Sequence, residues 1–279
     1  MSPVQRRSNK ISSISPNECG VRREDTEANA DISRKVQTKD GELITLSGRF
    51  VAGGIKVTER WPWMAAIFDE DKEKQLCGGT VIDSTHIVTA SHCFDDKSLN
   101  SDLYTVQVGE ISLVGNNTTH KVQEIKIHEN YRPGYYYNDI AVIKLSESLS
   151  NDAIPICLPE EEMVLPGDNV TVLGWGDLAY RKSSSAEHSN LKYNNFFIAS
   201  AAGGDSGGPL LREYSEKKFA LVGIVSFGVK CAEPGFPGVY TKVSAHIPWI
   251  ARYIGAQTNQ TNSRSNDRPN TGRIIFRNE

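Results

Sequence analysis

Between about residue 50 and residue 255 the chain alternates short apolar runs with clusters of turn residues. The runs are WMAAIFD, GGTVID, HIVTA, YTVQVGE, VQEIKIH, DIAVIKL, VTVLGWG, FALVGIVSFG and GVYTKV. Alternation in TVQV and EIKIH is that of strands with one wet face, whereas IAVI and LVGIV are apolar enough for burial on both faces. Many short strands without helical patterns between them exclude a βαβ sheet and predict antiparallel barrels or a sandwich. SAHIPWIARYI breaks the pattern. Ile247, Ile250 and Ile254 fall on one helical face, and Pro248 is tolerated in a first turn. The expectation is an all-β domain over 50–255 that ends in one helix.

The flanks differ in composition. Residues 1–49 and 256–279 are rich in Ser, Asn, Asp, Glu, Lys and Arg and poor in aromatics, so they are expected to be disordered, as a pro-segment or linker and a C-terminal tail. A formal net charge of −3 argues against a nucleic-acid binder or a membrane-surface protein. No apolar stretch approaches the roughly 18 residues of a membrane helix. The first twenty residues have no apolar run of the kind a signal peptide carries. Five cysteines leave at least one unpaired within the chain. Acceptor triplets for N-linked glycan begin at Asn116, Asn117, Asn169 and Asn259. With the cysteines, these point to a secreted, extracellular glycoprotein whose leader is not in this sequence. No cluster of metal ligands is evident, and no cofactor is expected.

Three residues far apart in sequence are candidates for chemistry. His92 follows the strand HIVTA in TASHC, Asp139 opens the apolar strand of NDIAVIKL, and Ser206 sits in GDSGGP. Alone, each is weak: a histidine beside a cysteine is more often structural, an acid before a strand is usually a solvated turn residue, and glycine-rich serine loops are usually turns. Their order together with GWG, SFG and PGVYTKV is far more specific. On these six motifs the chain, over about 50–255, resembles the chymotrypsin/trypsin family of serine endopeptidases. Within that family, WPWMAAIF, TASHC and IVSFGVKCAEPGFPGVYTKV are most similar to arthropod clip-domain proteases of the proclotting-enzyme type. The resemblance implies two antiparallel β-barrels with the active site in the cleft between them.

It also implies roles. A serine hydroxyl is a poor nucleophile at neutral pH, so Ser206 would attack a peptide carbonyl as His92 takes its proton, with Asp139 fixing the imidazole tautomer. Backbone N–H groups of Gly204 and Ser206 would form the oxyanion hole. Ser226, Phe227 and Gly228 would line the cleft as an edge strand for an extended peptide. LSGRFVAGGIKV resembles the family's activation junction. Cleavage after Arg49 would free the amino group of Phe50 to pair with Asp205; a cut after Phe50, freeing Val51, is the alternative. Cys77 would pair with Cys93, and Cys19 with Cys157, tethering the severed pro-segment and leaving Cys231 over. Expected partners are protein or peptide substrates, an upstream activating protease and serpin-type inhibitors.

The pattern breaks just before the serine. Ala202 stands where relatives carry the partner of the last cysteine, and Ser200 where trypsin-like members carry the specificity aspartate. The interval from Trp175 to Ser206 is markedly shorter than the family's, so the second barrel is expected to be truncated. Ser200 and Gly238 would then line an open, uncharged pocket. Three readings of the short interval stay open: a misassembled or alternatively spliced transcript, a protease with a remodelled pocket, and a non-catalytic homologue acting as a binding cofactor or decoy.

Overall fold

The structure is a computed structural model that describes residues 19–22, 36–37, 43–44, 55–57, 59–72, 74–159, 170–176, 192–196, 205–228, 238–255 and 273–275. Strands β1 (Val36–Gln37) and β2 (Leu43–Ile44) form a separate antiparallel pair. After β3 (Ile55–Lys56) come six strands: β4 (Met64–Asp69), β5 (Lys74–Val81), β6 (His86–Thr89), β7 (Tyr104–Val108), β8 (Thr119–Ile127) and β9 (Ala141–Leu145). They close into an antiparallel barrel in the order β4-β5-β6-β9-β8-β7. Closure removes free edges, and the barrel interior is filled by Ile67, Val81, Ile87, Ile143 and Leu145, all essentially without solvent exposure. β8 buries Val122 and Ile125, three residues apart because the register shifts between Val122 and Glu124, while β9 is almost wholly buried.

The second half is an open sheet among the described residues. It comprises β10 (Val170–Gly174), β11 (Lys192–Phe196), β12 (Pro209–Ser215), β13 (Lys218–Gly228), β14 (Gly238–Lys242) and β15 (Arg273–Ile275). With β3 at one end, the order is β15-β14-β13-β12-β10-β11-β3. The fold is chymotrypsin-like: a closed six-stranded barrel, a second sheet and a short C-terminal helix. That helix, α1, spans Ile247–Tyr253 with Pro248 in its first turn, after a 3-10 turn over Val243–His246. Its most buried residues are Trp249, Ile250 and Ala251; Ile247 and Ile254 of the expected apolar face are only partly buried. Trp249 is buried, and its indole N–H donates to the exposed carboxylate of Glu129, with Oε2 2.7 Å away.

Most of the two flanks lies outside the described residues, but short pieces of each are described. Within 1–49, residues 19–22 are latched onto the second sheet: Cys19 is bonded to Cys157, Gly20 N donates to Pro155 O at 2.7 Å, and Phe219 N donates to Gly20 O at 2.9 Å. Gly20 has φ +64°, and a Cβ there would overlap Phe219 O, so only glycine fits. Arg22 pairs with Glu59 and lies 4.7 Å from the Trp61 ring centroid. Trp61 in turn packs edge-on against Phe219 at 5.1 Å. Of 256–279 the described piece is β15, which pairs with β14 at Val239↔Ile275, Tyr240↔Ile274 and Thr241↔Arg273. The described pieces 19–22 and 273–275 take up main-chain hydrogen bonds, which average composition does not register.

A histidine pair stitches α1 to the first barrel. The His128 and His246 rings lie 5.5 Å apart, and His128 stacks on Trp249 at 4.9 Å. Burial, reinforced by His246 and partly offset by Glu129, pushes His128 down to about 4. Burial lowers His246 as well. The Tyr253 hydroxyl bond holds Glu129 at about 2, so it stays anionic throughout this range. Because both histidines bind protons more weakly folded than unfolded, their contribution is complete above the free-imidazole value and is lost as pH falls from about 6.5 towards 4. We expect the denaturant midpoint to fall over that window, and to fall less in His128→Asn; equal slopes for the two proteins would refute this origin.

Candidate active site

His92 lies in a 3-10 turn, Ser91–Phe94, immediately after β6. The turn is anchored on both sides. Cys93 is bonded to Cys77 of β5, a closure that typically contributes about 3 kcal/mol for a loop of this length. Ser91 Oγ donates to Ile140 O at 2.6 Å. Asp139 is fully buried and spends its lone pairs on three donors. It accepts from His92 N at 2.9 Å, from Ser226 Oγ at 2.5 Å and, through Oδ2, from His92 Nδ1 at 2.8 Å. Its own carbonyl accepts from Thr241 Oγ1 at 2.7 Å. A buried carboxylate needs such partners to offset its lost hydration. Since it can only accept, it selects the Nδ1–H tautomer and leaves a lone pair on Nε2.

Ser206 sits in a tight turn over Asp205–Gly208, closed by Gly208 N donating to Asp205 O at 2.9 Å. Gly78 N donates to Ser206 O at 2.8 Å, and Gly207 N to Val225 O at 2.9 Å, so the turn is gripped by β5 and β13. Gly207 has φ +76°, and a Cβ there would overlap Thr89 Oγ1 and approach Ala90 N to 3.2 Å. The serine turn is therefore seated against the residues that lead into His92. Among the described residues His92 and Ser206 share no hydrogen bond.

Asp205 packs on the end of β10. Its Oδ1 accepts from Gly176 N at 2.8 Å, and the carboxyl group packs so closely on Gly174 that no Cβ fits there. Phe50, Arg49, Val51, Gly204, Ser200, Ala202 and Cys231 lie outside the described residues. Phe227, Gly228 and Gly238 come together on paired strands, with Phe227↔Val239 and Gly228↔Gly238 in register. Ser226 is buried and its hydroxyl donates to Asp139, so a peptide could meet only its backbone, the part the sequence reading assigned to that role. Sequence reading missed Tyr136, which stacks on Phe227 at 4.6 Å and meets the His92 ring edge-on at 5.9 Å. Its only signal was the tyrosine run just before Asp139. The Sγ atoms of Cys77 and Cys93 lie within 4.8 Å of a His92 ring nitrogen, but they are bonded to each other and offer no thiolate to a metal.

A closed antiparallel barrel beside an antiparallel sheet, with a buried Asp bonded to a partly exposed His and the Ser206 turn gripped by barrel and sheet, defines a chymotrypsin-like serine protease. The family model Trypsin matches residues 51–250, and the chain belongs to the trypsin family. It is 33% identical to the proclotting enzyme of Tachypleus tridentatus over 252 residues, 75% of this chain and 67% of that one. It is 31% identical to the clotting factor G beta subunit of the same species over 273 residues, 84% and 88% of the two chains. Similarity extends to the venom serine protease Bi-VSP of Bombus ignitus, 36% identical over 247 residues, 71% of this chain and 66% of that one.

Proposed function

We propose that the chain is a secreted serine endopeptidase, made as a zymogen, that works in an arthropod clotting or immune cascade. The observation that carries the reading is the buried Asp139, which orients His92 through both its ring and its backbone. In this reading Nε2 of His92 removes the Ser206 proton as Oγ attacks the substrate carbonyl. The amides of Ser206 and Gly204 hold the resulting oxyanion, and the imidazolium, stabilised by Asp139, protonates the leaving amine. Water then repeats the cycle on the acyl-enzyme. The peptide lies along the backbone of residues 226–228, beside the stacked Tyr136 and Phe227. Clotting and venom proteases among the relatives support the cascade role, and the two disulfides support an oxidising compartment.

The domain division follows: 1–49 is a pro-segment, 50–255 the peptidase and 256–279 a tail. Cleavage at Arg49–Phe50 leaves the pro-segment attached through Cys19–Cys157. The short interval before Ser206 favours one alternative, a non-catalytic homologue that binds cascade partners. Labelling separates the two. After trypsin cuts at Arg49, a fluorophosphonate should form a covalent adduct on Ser206; clean cutting without an adduct would favour the binding homologue.

One variant tests the scaffold rather than the triad. In Gly174→Ala the new methyl must displace the Asp205 carboxyl, and with it the Ser206 turn. A displacement of about 1 Å at reacting atoms costs on the order of 100-fold in rate. We expect kcat/KM to fall by about that factor with the circular dichroism spectrum unchanged; full activity would show that Asp205 does not set the turn.

A further inference from the structure

The loop between β7 and β8 holds two overlapping acceptor triplets, Asn116-Asn117-Thr118 and Asn117-Thr118-Thr119. The structure gives the two asparagines opposite situations. Asn117 is half-buried, and its Nδ2 donates to Gln107 Oε1 at 2.9 Å and to Ser112 O at 2.7 Å. A carboxamide nitrogen carries two hydrogens, so both are committed. These bonds draw the two sides of the loop together beside the pair Gln107↔Thr119 that starts the β7–β8 ladder. Attaching a sugar to this nitrogen removes one hydrogen and places the glycan where Gln107 or the Ser112 carbonyl now sits. Asn116 is exposed, and among the described residues its side chain makes no hydrogen bond. Gly115, at φ +132°, turns the chain just before it. Val114, two residues back, is 73% exposed, the most exposed of the large apolar side chains described.

We propose that the folded protein carries an N-linked oligosaccharide on Asn116, and that Asn117 stays unmodified as the staple of the loop. The inference rests on the secretory route argued above. The donor class is a lipid-diphosphate oligosaccharide. Nδ2 of Asn116 forms a bond to the anomeric carbon, the carbon–oxygen bond to the diphosphate breaks, and the lipid diphosphate departs as Nδ2 loses one proton. Adjacent asparagines cannot both carry a glycan without crowding, and only Asn116 can do so with the loop bonds intact. The sugar then covers the bare surface around Val114.

The test is the whole chain secreted from insect cells behind a heterologous leader. Enzymatic deglycosylation in heavy-oxygen water converts the occupied asparagine to a labelled aspartate, located by peptide mass spectrometry. We expect label on Asn116 and none on Asn117. Thr119→Ala, which removes only the second triplet, should keep the glycan, and Thr118→Ala, which removes only the first, should lose it. Asn117→Ala should keep the glycan but melt several degrees lower. Label on Asn117, or a loop without any label, overturns the proposal. None of these readouts depends on peptidase activity, so failure here leaves the endopeptidase reading standing, and an inactive Ser206 leaves the glycan in place.

Discussion

Replacing Ser206 with alanine is expected to abolish amide hydrolysis while leaving the fold intact. The turn over 205–208 is held by main-chain bonds to Gly78 and Val225, none of which uses the serine hydroxyl. Thermal stability should therefore change little. Loss of the nucleophile in a triad that acts as a unit costs about six orders of magnitude in kcat, leaving only what the oxyanion donors and substrate binding supply. The measurement is hydrolysis of a panel of peptide amides by the trypsin-activated chain and its variant. Equal rates for the two would show that Ser206 is not the nucleophile, or that a contaminating protease is being read.

Asp139→Asn comes next in size. The amide is close in shape to the carboxylate, but it brings two donors into a site where three donors already converge. If the amide nitrogen faces His92 Nδ1, the ring must flip its tautomer, which puts the hydrogen on Nε2 and removes the lone pair that receives the serine proton. The expected loss in kcat is about 10⁴-fold near neutral pH, with a much smaller change in KM. The same substitution should lower stability, because it also disturbs the bonds from Ser226 and the His92 backbone. A variant that keeps its rate while losing stability would make Asp139 a purely structural residue.

How far the sequence reveals this molecule depends on which force holds each part. The barrel strands were legible because burial writes itself into side-chain pattern: TVQV and EIKIH alternate, and IAVI does not. His92 and Asp139 were legible only through the motifs around them. Nothing in their own spacing of 47 residues foretells a hydrogen bond. Thr241 and Ser91 read as ordinary strand and turn residues, yet their hydroxyls hold the carbonyls of Asp139 and Ile140. The Cys19–Cys157 bond was expected from the resemblance, but the main-chain bonds at 19–22 and strand β15 were missed for a common reason. Each is only a few residues long and contributes main-chain hydrogen bonds, which any sequence can make and no periodicity announces.

The position of β15 has a practical bearing on how this chain can be shortened or extended. The outer edge of β14 holds a run of main-chain donors and acceptors, and the last strand occupies them. A chain trimmed at the end of α1 would look like a tidy catalytic domain but would expose a sticky border. It would be prone to self-association, and Thr241, which steadies Asp139, would be left on the outermost strand.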